Sequence, residues 1–502
     1  MTFLSTLLAL AYQVVGLLLT LYACFLFSAV ILFLLSRRRH DWPAAAPPPP
    51  TWPSVTVQLP IFNEPAVARR VVEAAAALAY PADRLQIQVL DDSTDRTAAL
   101  LPGWVARLRR QTGLNITYHH RRHRQGYKAG ALADGLAQAG GEFIAVFDAD
   151  YVPPPDWLYR TVPALLAHPQ LGFVQTRWGY LNRSQNALTA AQALALDGHF
   201  VVEQQARSAA GLWQNFNGSG GLWRRAAIES AGGWTADTVT EDFDLSYRAQ
   251  LQGWRGGYID AIAAPGELPP TLGGYKRQQR RWAKGACQTL RKLAPDLWRS
   301  QAPAWRRLYA GLHMAGYTTH LLLLVLLLLS LPLALLPNRP WPLPIPGGLS
   351  LAVSVLPILL YALSQQRLAG WRGLRRLWAL PILALINLGF APTLAGAVIE
   401  GFSRRGGVFE RTPKHGSAPQ PGGIERGPWR QLLPEALACL VAGLTLAAIA
   451  ANGRWGLAPL PSFFLLGAGS VLLLGLREQL RATPHPSGRR QTLAEAITPS
   501  DF

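Results

Sequence analysis

The first 36 residues, Met1 to Ser36, contain no charged side chain. A helix that crosses a bilayer needs about 20 mostly apolar residues, so this run commits the chain to a membrane before anything else is read. It lacks a basic start and is too long for a cleaved signal peptide. Comparable apolar runs return at about 309–336, 347–365, 431–450 and 457–476. Between the first run and the rest, residues 51–300 hold 21 of the 29 acidic residues. A carboxylate-rich soluble domain is therefore expected between transmembrane parts. The expected units are 1–40, an N-terminal transmembrane helix; 51–300, the soluble domain with a juxtamembrane interfacial helix; 305–480, a C-terminal membrane domain with a loop at 401–430; and 481–502, a tail.

The net charge of +19 does not point to nucleic acid. Its excess falls next to apolar runs, at Arg37–Arg39, Arg372–Arg376 and Arg404–Lys414. Lysine and arginine gather in cytoplasmic loops, where they also meet anionic headgroups. Arg37–Arg39 thus place the soluble domain in the cytoplasm, with the lipid bilayer as a partner. The segment 377–399 is apolar enough to span, but Pro381 and Pro392 interrupt it. If it lies in the interface or re-enters, the basic stretch 404–430 stays inside, as the charge rule prefers. Five spans plus one interfacial or re-entrant helix follow. The three cysteines (Cys24, Cys287, Cys439) are too scattered for a zinc site or a disulfide framework.

Within the soluble part, the short β-branched or aromatic runs Val55–Ile61, Leu85–Leu90, Asn115–Tyr118 and Phe143–Phe147 alternate with alanine-rich stretches at 66–79, 96–111 and 127–139. That alternation predicts a mostly parallel, Rossmann-like α/β sheet. Ligands of such sheets bind beyond the carboxyl ends of the strands. Asn63-Glu64, Asp91-Asp92-Ser93-Thr94-Asp95 and Asp148-Ala149-Asp150 follow three of the strands. Asp92, Ser93 or Asp95 could instead cap the next helix, but polar residues at three strand ends favour a ligand.

Asp148-Ala149-Asp150 ends an apolar strand with two carboxylates separated by one small residue. A hard cation, Mg²⁺ or Mn²⁺, accepts one or two carboxylates plus phosphate oxygens and would offset charge on a departing diphosphate. Lys128 could add a second cation on those phosphates, or could be a solvated helix lysine. Thr240-Glu241-Asp242-Phe243-Asp244 offers a carboxylate to take a hydroxyl proton, or to cap the helix it opens. In Gln278-Gln279-Arg280-Arg281-Trp282, arginine suits phosphate and a tryptophan face suits a sugar ring. A basic juxtamembrane helix with a tryptophan anchor has the same composition.

In order and spacing these pieces resemble glycosyltransferase family 2, the membrane processive branch marked by D, DxD, a TED triplet and QxxRW. The likeness runs from about Val57 to Gly285 and is nearest the cellulose synthase-like A and C proteins, which make mannan and glucan backbones. Gln58–Glu64, Val89–Asp95, Gly126–Leu132 and Phe216–Gly220 also carry it. It implies an A-type glycosyltransferase fold and a nucleotide-sugar donor, UDP-glucose or GDP-mannose. It further implies inverting transfer to a growing β-linked, β-1,4 polysaccharide. By the same likeness Asp91 and Asp92 contact the nucleoside, Asp148 and Asp150 hold donor and metal, and Lys128 binds the diphosphate. Asp242 becomes the base with Glu241 beside it, while Gln278, Arg281 and Trp282 clasp the diphosphate and the terminal acceptor sugar. Phe216, Asn217 and Gly218 line the acceptor site, in a loop that departs from the cysteine-containing loop of cellulose synthases. Nothing resembling a cyclic-dinucleotide-binding domain follows the last span, so control of that kind is not expected.

Two other readings stay open. One is transfer of a single sugar to a ceramide-like or diacylglycerol-like lipid acceptor. The other is a non-catalytic membrane transporter or scaffold, which the intact motif carboxylates disfavour.

Overall fold

Seven strands form one sheet in the order β3-β2-β1-β4-β6-β5-β7. They are β1 (Val55–Ile61), β2 (Leu85–Asp91), β3 (Asn115–His120), β4 (Phe143–Val146), β5 (Leu171–Tyr180), β6 (Gly221–Arg224) and β7 (Arg255–Gly266). Only β6 runs against its neighbours; all other pairs are parallel. The computed structural model describes residues 2–36, 47–336, 347–407 and 429–481. Arg37–Arg39, the loop residues 408–428 with Phe409–Lys414, and the tail 482–502 lie outside the described residues.

The sheet is buried on both faces: every residue of β1 is buried, and the polar Thr56 and Gln58 that alternate with Val55, Val57 and Leu59 hydrogen-bond Gln86 and Gln88 of β2. Helices α2 (Ala68–Ala76), α3 (Arg96–Thr112) and α5 (Trp157–Ala167) close one face through Val71, Leu101 and Trp157. Helices α4 (Tyr127–Ala137), α8 (Arg225–Ser230) and α9 (Glu241–Leu251) close the other through Leu132, Ile228 and Leu245. The β2 register pairs Asp91 with Ile61 on one side and with His120 on the other. Gln58 of β1 pairs with Val146 of β4, so the segments that follow Ile61, Asp91 and Val146 all emerge at one edge of the sheet.

Helix α6 (Ala187–Asp197), a π-helical turn (Gly198–Gln204) and α7 (Gln205–Ala209) join the sheet to the apolar helices. Those are α1 (Thr2–Ser36), α12 (Thr318–Leu335), α13 (Gly347–Gly373, kinked at Ala369 and Gly370), α14 (Leu380–Ser403), α15 (Leu433–Asn452) and α16 (Pro459–Arg481). Among the described residues five stretches are long and apolar enough to cross a membrane: 3–36, 318–335, 357–403, 429–452 and 459–480. The expected span 309–336 is not one helix. It divides into the amphipathic α11 (Ala304–Met314) and α12, at a turn where Gly316 passes Tyr22 so closely that an added Cβ would stand 2.8 Å from the tyrosine oxygen.

The segment expected at 377–399 is one continuous helix, α14, of 24 residues and hence roughly 36 Å. Both its ends touch the sheet domain. At the start, Ala379 and Leu383 pack on Ala191 and Leu194 of α6. At the end, Glu400 pairs with Arg280 of α10 (Leu272–Arg299), and the Gly406 amide donates to the Asp237 carbonyl. Between them Ile386, Phe390 and Val398 lie along Tyr275, Ala283 and Cys287 of α10.

Candidate active site

The strand ends and the start of α10 enclose an open cleft of about 1100 Å³. Glu64, Asp92, Lys128, Asp148, Asp150, Asn217, Gly218, Glu241, Asp242, Gln278, Arg281 and Trp282 all line it. Glu64 and Trp282, 218 positions apart, meet because parallel strands end at one edge, and because Gln278, Arg281 and Trp282, spaced i, i+3 and i+4, share one face of α10. Lys128 is not a solvated lysine. Its ammonium sits 2.6 Å from an Asp148 oxygen and 3.6 Å from Glu241, and donates to the Gly218 carbonyl at 2.9 Å. Burial alone would lower its pKa, but the charges of Asp148, Glu241 and Asp242 outweigh burial and raise it, so it stays cationic.

Burial raises the Asp148 carboxyl; Lys128 opposes this, and the neighbouring Asp150 charge adds to it. Asp150 accepts from the Glu267 amide, while Arg70 bonds both the Asp150 carbonyl and the Glu267 carboxylate. Two carboxylates one residue apart, both lining the cleft, fit a divalent cation completed by phosphate oxygens. Among the described residues no group of three or more acidic, histidine or cysteine side chains forms a closed metal cage. The donor set thus suits an ion that arrives with phosphate.

Asp242 opens α9 beside Glu241. Its carboxyl is pushed up to about 7, first by burial and then by the Glu241 charge, against Lys128, the Phe243 amide and Arg281. Gly218 explains the closeness: with φ at +82°, an added Cβ would stand 2.7 Å from the Asp242 oxygen and 3.3 Å from the lysine nitrogen. Gly285 does the same for the helix, since a Cβ there would meet Thr240 at 2.4 Å. Asp244, a possible alternative base, is fully buried and held by Arg248 and Lys292 at 2.7 and 2.9 Å, away from the cleft.

Two expected contacts lie elsewhere. Asp91 is fully buried, and its oxygens take the Ser93 amide, the Tyr118 hydroxyl and His120, so it braces the strand end behind the cleft. Phe216 packs on Phe173 and Trp223 in the core. Only Asn217 and Gly218 of that loop face the cleft, and Asn217 is held from behind by Gln204 and His199 of the π-helical turn. Asp95 caps α3 through the Thr97 amide, while Asp92 is gripped by Arg121 through two bonds of 2.7 and 2.6 Å.

Sequence reasoning missed Arg121, Arg124, Tyr151, Trp178, Tyr180 and Glu267. Arg124 lies over the Phe62 ring at 3.5 Å, and Trp178 donates to the Ser219 carbonyl at 3.0 Å while its ring meets Tyr151. The aromatic run at the end of β5 was the available signal. Asn63 and Tyr127 are the only non-glycine residues with positive φ among the described residues, and each is next in sequence to a residue that lines the cleft, Glu64 and Lys128.

Residues 52–285 match the family model described as glycosyltransferase like family 2. Over 293 residues the chain is 39% identical to glucomannan 4-beta-mannosyltransferase 7 of Arabidopsis thaliana, covering 57% of this chain and 53% of that protein. It is 41% identical over 249 residues to glucomannan 4-beta-mannosyltransferase 1 of Cyamopsis tetragonoloba, covering 49% of this chain and 47% of that one. The chain thus spans about half the length of the plant relatives it matches. Among solved structures, a mannosyltransferase from Pyrobaculum calidifontis in complex with GDP-Man and Mn²⁺ superposes with a TM-score of 0.53 at 22% identity, covering 76% of this chain and 99% of that one. It shares the A-type fold.

Proposed function

We propose that this chain, whose residues 52–285 match the glycosyltransferase family 2 model, is a membrane glycosyltransferase that moves a hexose, with inversion, from a nucleotide-diphosphate sugar to a growing β-1,4-linked polysaccharide. One observation carries the reading: Lys128, Asp148, Asp150, Glu241, Asp242, Gln278, Arg281 and Trp282 converge on a single cleft. The mannosyltransferase names of the plant relatives make mannose the first sugar to test.

The acceptor hydroxyl oxygen attacks the anomeric carbon opposite the diphosphate. The anomeric carbon–oxygen bond breaks, its electron pair leaves on the diphosphate, and the hydroxyl proton passes to the Asp242 carboxylate. Lys128 and Arg281 hold the diphosphate by charge-assisted hydrogen bonds. Trp282, with Trp178 and Tyr180 across the cleft, offers flat faces to the acceptor sugar. A divalent cation held by Asp148 and Asp150 would supply further positive charge to the leaving group. One base suffices, since the leaving group is already an anion. The contacts of both ends of α14 with the sheet domain, together with the basic stretch after it, support a non-crossing α14 and a cytoplasmic catalytic domain.

Purified protein is given radiolabelled GDP-mannose or UDP-glucose with Mg²⁺ or Mn²⁺ and a β-1,4 oligosaccharide. Label released from polymer by a β-1,4-specific glycanase is the expected result. Label that extracts into organic solvent would favour the lipid acceptor, and no transfer from any donor would favour a non-catalytic role.

A further inference from the structure

A second cleft, of about 950 Å³, opens between α10, α14 and the turn before α15. Four cations line it, Lys276, Arg277, Arg280 and Arg430, against one lining carboxylate, Glu400. Arg280 pairs with Glu400 at 2.6 Å, and Lys276 with the fully buried Glu435 at 2.7 Å. Among the described residues neither Arg277 nor Arg430 has a carboxylate partner. The other wall is apolar, with Pro392, Ala397 and Pro434, and belongs to two of the helices apolar enough to span a bilayer. Trp429, 59% exposed, stands beside Arg430, as tryptophans do at headgroup level.

We propose that this cleft is a binding site for a phosphate ester anion, the headgroup phosphate of an anionic phospholipid, held by Arg277 and Arg430. Two guanidiniums with no carboxylate partner among the described residues, lining one cleft beside an apolar wall, match a group that is charged at one end and hydrocarbon at the other. The site lies outside the catalytic cleft. At 3.6 residues per turn, Gly273, Arg277, Arg280 and Lys284 project roughly 130° around α10 from Gln278, Arg281 and Trp282. A lipid seated there fixes the axial position of the helix that carries the second set.

The test reads binding, so it stands or falls separately from the transfer reaction. Full-length protein in phosphatidylcholine nanodiscs is compared with discs also containing phosphatidylglycerol, by native mass spectrometry of retained lipid and by amide exchange over 273–282. Phosphatidylglycerol should be retained and should slow exchange in wild type and in Arg277→Lys. In Arg277→Gln with Arg430→Gln it should bind about tenfold more weakly, with an unchanged melting curve in phosphatidylcholine. Inorganic phosphate added to phosphatidylcholine discs separates the sources: protection by phosphatidylglycerol alone assigns the site to lipid, and equal protection by phosphate assigns it to a soluble phosphate. Equal lipid retention by wild type and the double variant, or no protection by either anion, overturns the proposal.

Discussion

The role of Asp242 can be tested through the pH dependence of transfer. As a general base it must be ionised, and its carboxyl is pushed up to about 7 by burial and by Glu241. In the free enzyme roughly 9% of molecules would hold the ionised form at pH 6, and kcat/KM falls about tenfold for each further pH unit. The sign follows from the direction of the shift: a raised carboxyl is protonated on the acidic side, so activity is lost as pH falls through about 7 and is full above it. Glu241→Gln removes the second cause of the shift but leaves burial, so the acidic limb should move to lower pH without reaching the ordinary carboxylate range. Asp242→Asn should abolish the limb, lower transfer by about 10² to 10⁴, and leave affinity for an inert donor within a few-fold of wild type. The assay is kcat/KM for labelled donor at constant ionic strength from pH 5.5 to 8.5, with calorimetry of each variant. A flat profile in wild type would refute the assignment, as would an acidic limb that stays put in Glu241→Gln.

Gly218→Ala places a methyl 2.7 Å from the Asp242 oxygen on a backbone with φ of +82°; turnover should drop by about 10², while a melting curve shows the fold intact. Chelation should stop transfer, and Asp150→Asn should weaken donor binding as well as turnover in calorimetry run beside the assay; full activity in excess chelator would remove the metal from the reading. A single cysteine at Ser403, in a background free of Cys24, Cys287 and Cys439, should resist an impermeant thiol reagent in intact cells, and ready labelling would show that α14 crosses the membrane.

The sheet domain was legible because its signals are local. Short apolar runs set β1 to β4, and the residue that follows each run stands at a ligand-facing edge whenever such strands are parallel, so Asp92, Asp148 and Asp150 could be found from position alone. The spacing of Gln278, Arg281 and Trp282 fixed a common helix face for the same reason. Which side chains actually reach the cleft depended on contacts between distant segments. Asp91 and Asp92 are adjacent in sequence, yet strand alternation turns one into the core against Tyr118 and the other toward Arg121. Phe216 and Asn217 part in the same way. Asp242 differs from Asp244 by half a helical turn, which exchanges a cleft for the Arg248 and Lys292 ion pairs. For α14, hydropathy described the helix but not its partners: only the tertiary structure sets Ile386 and Val398 on Tyr275 and Cys287 of α10, and Ala391 among Leu327, Ala438 and Phe464 of α12, α15 and α16.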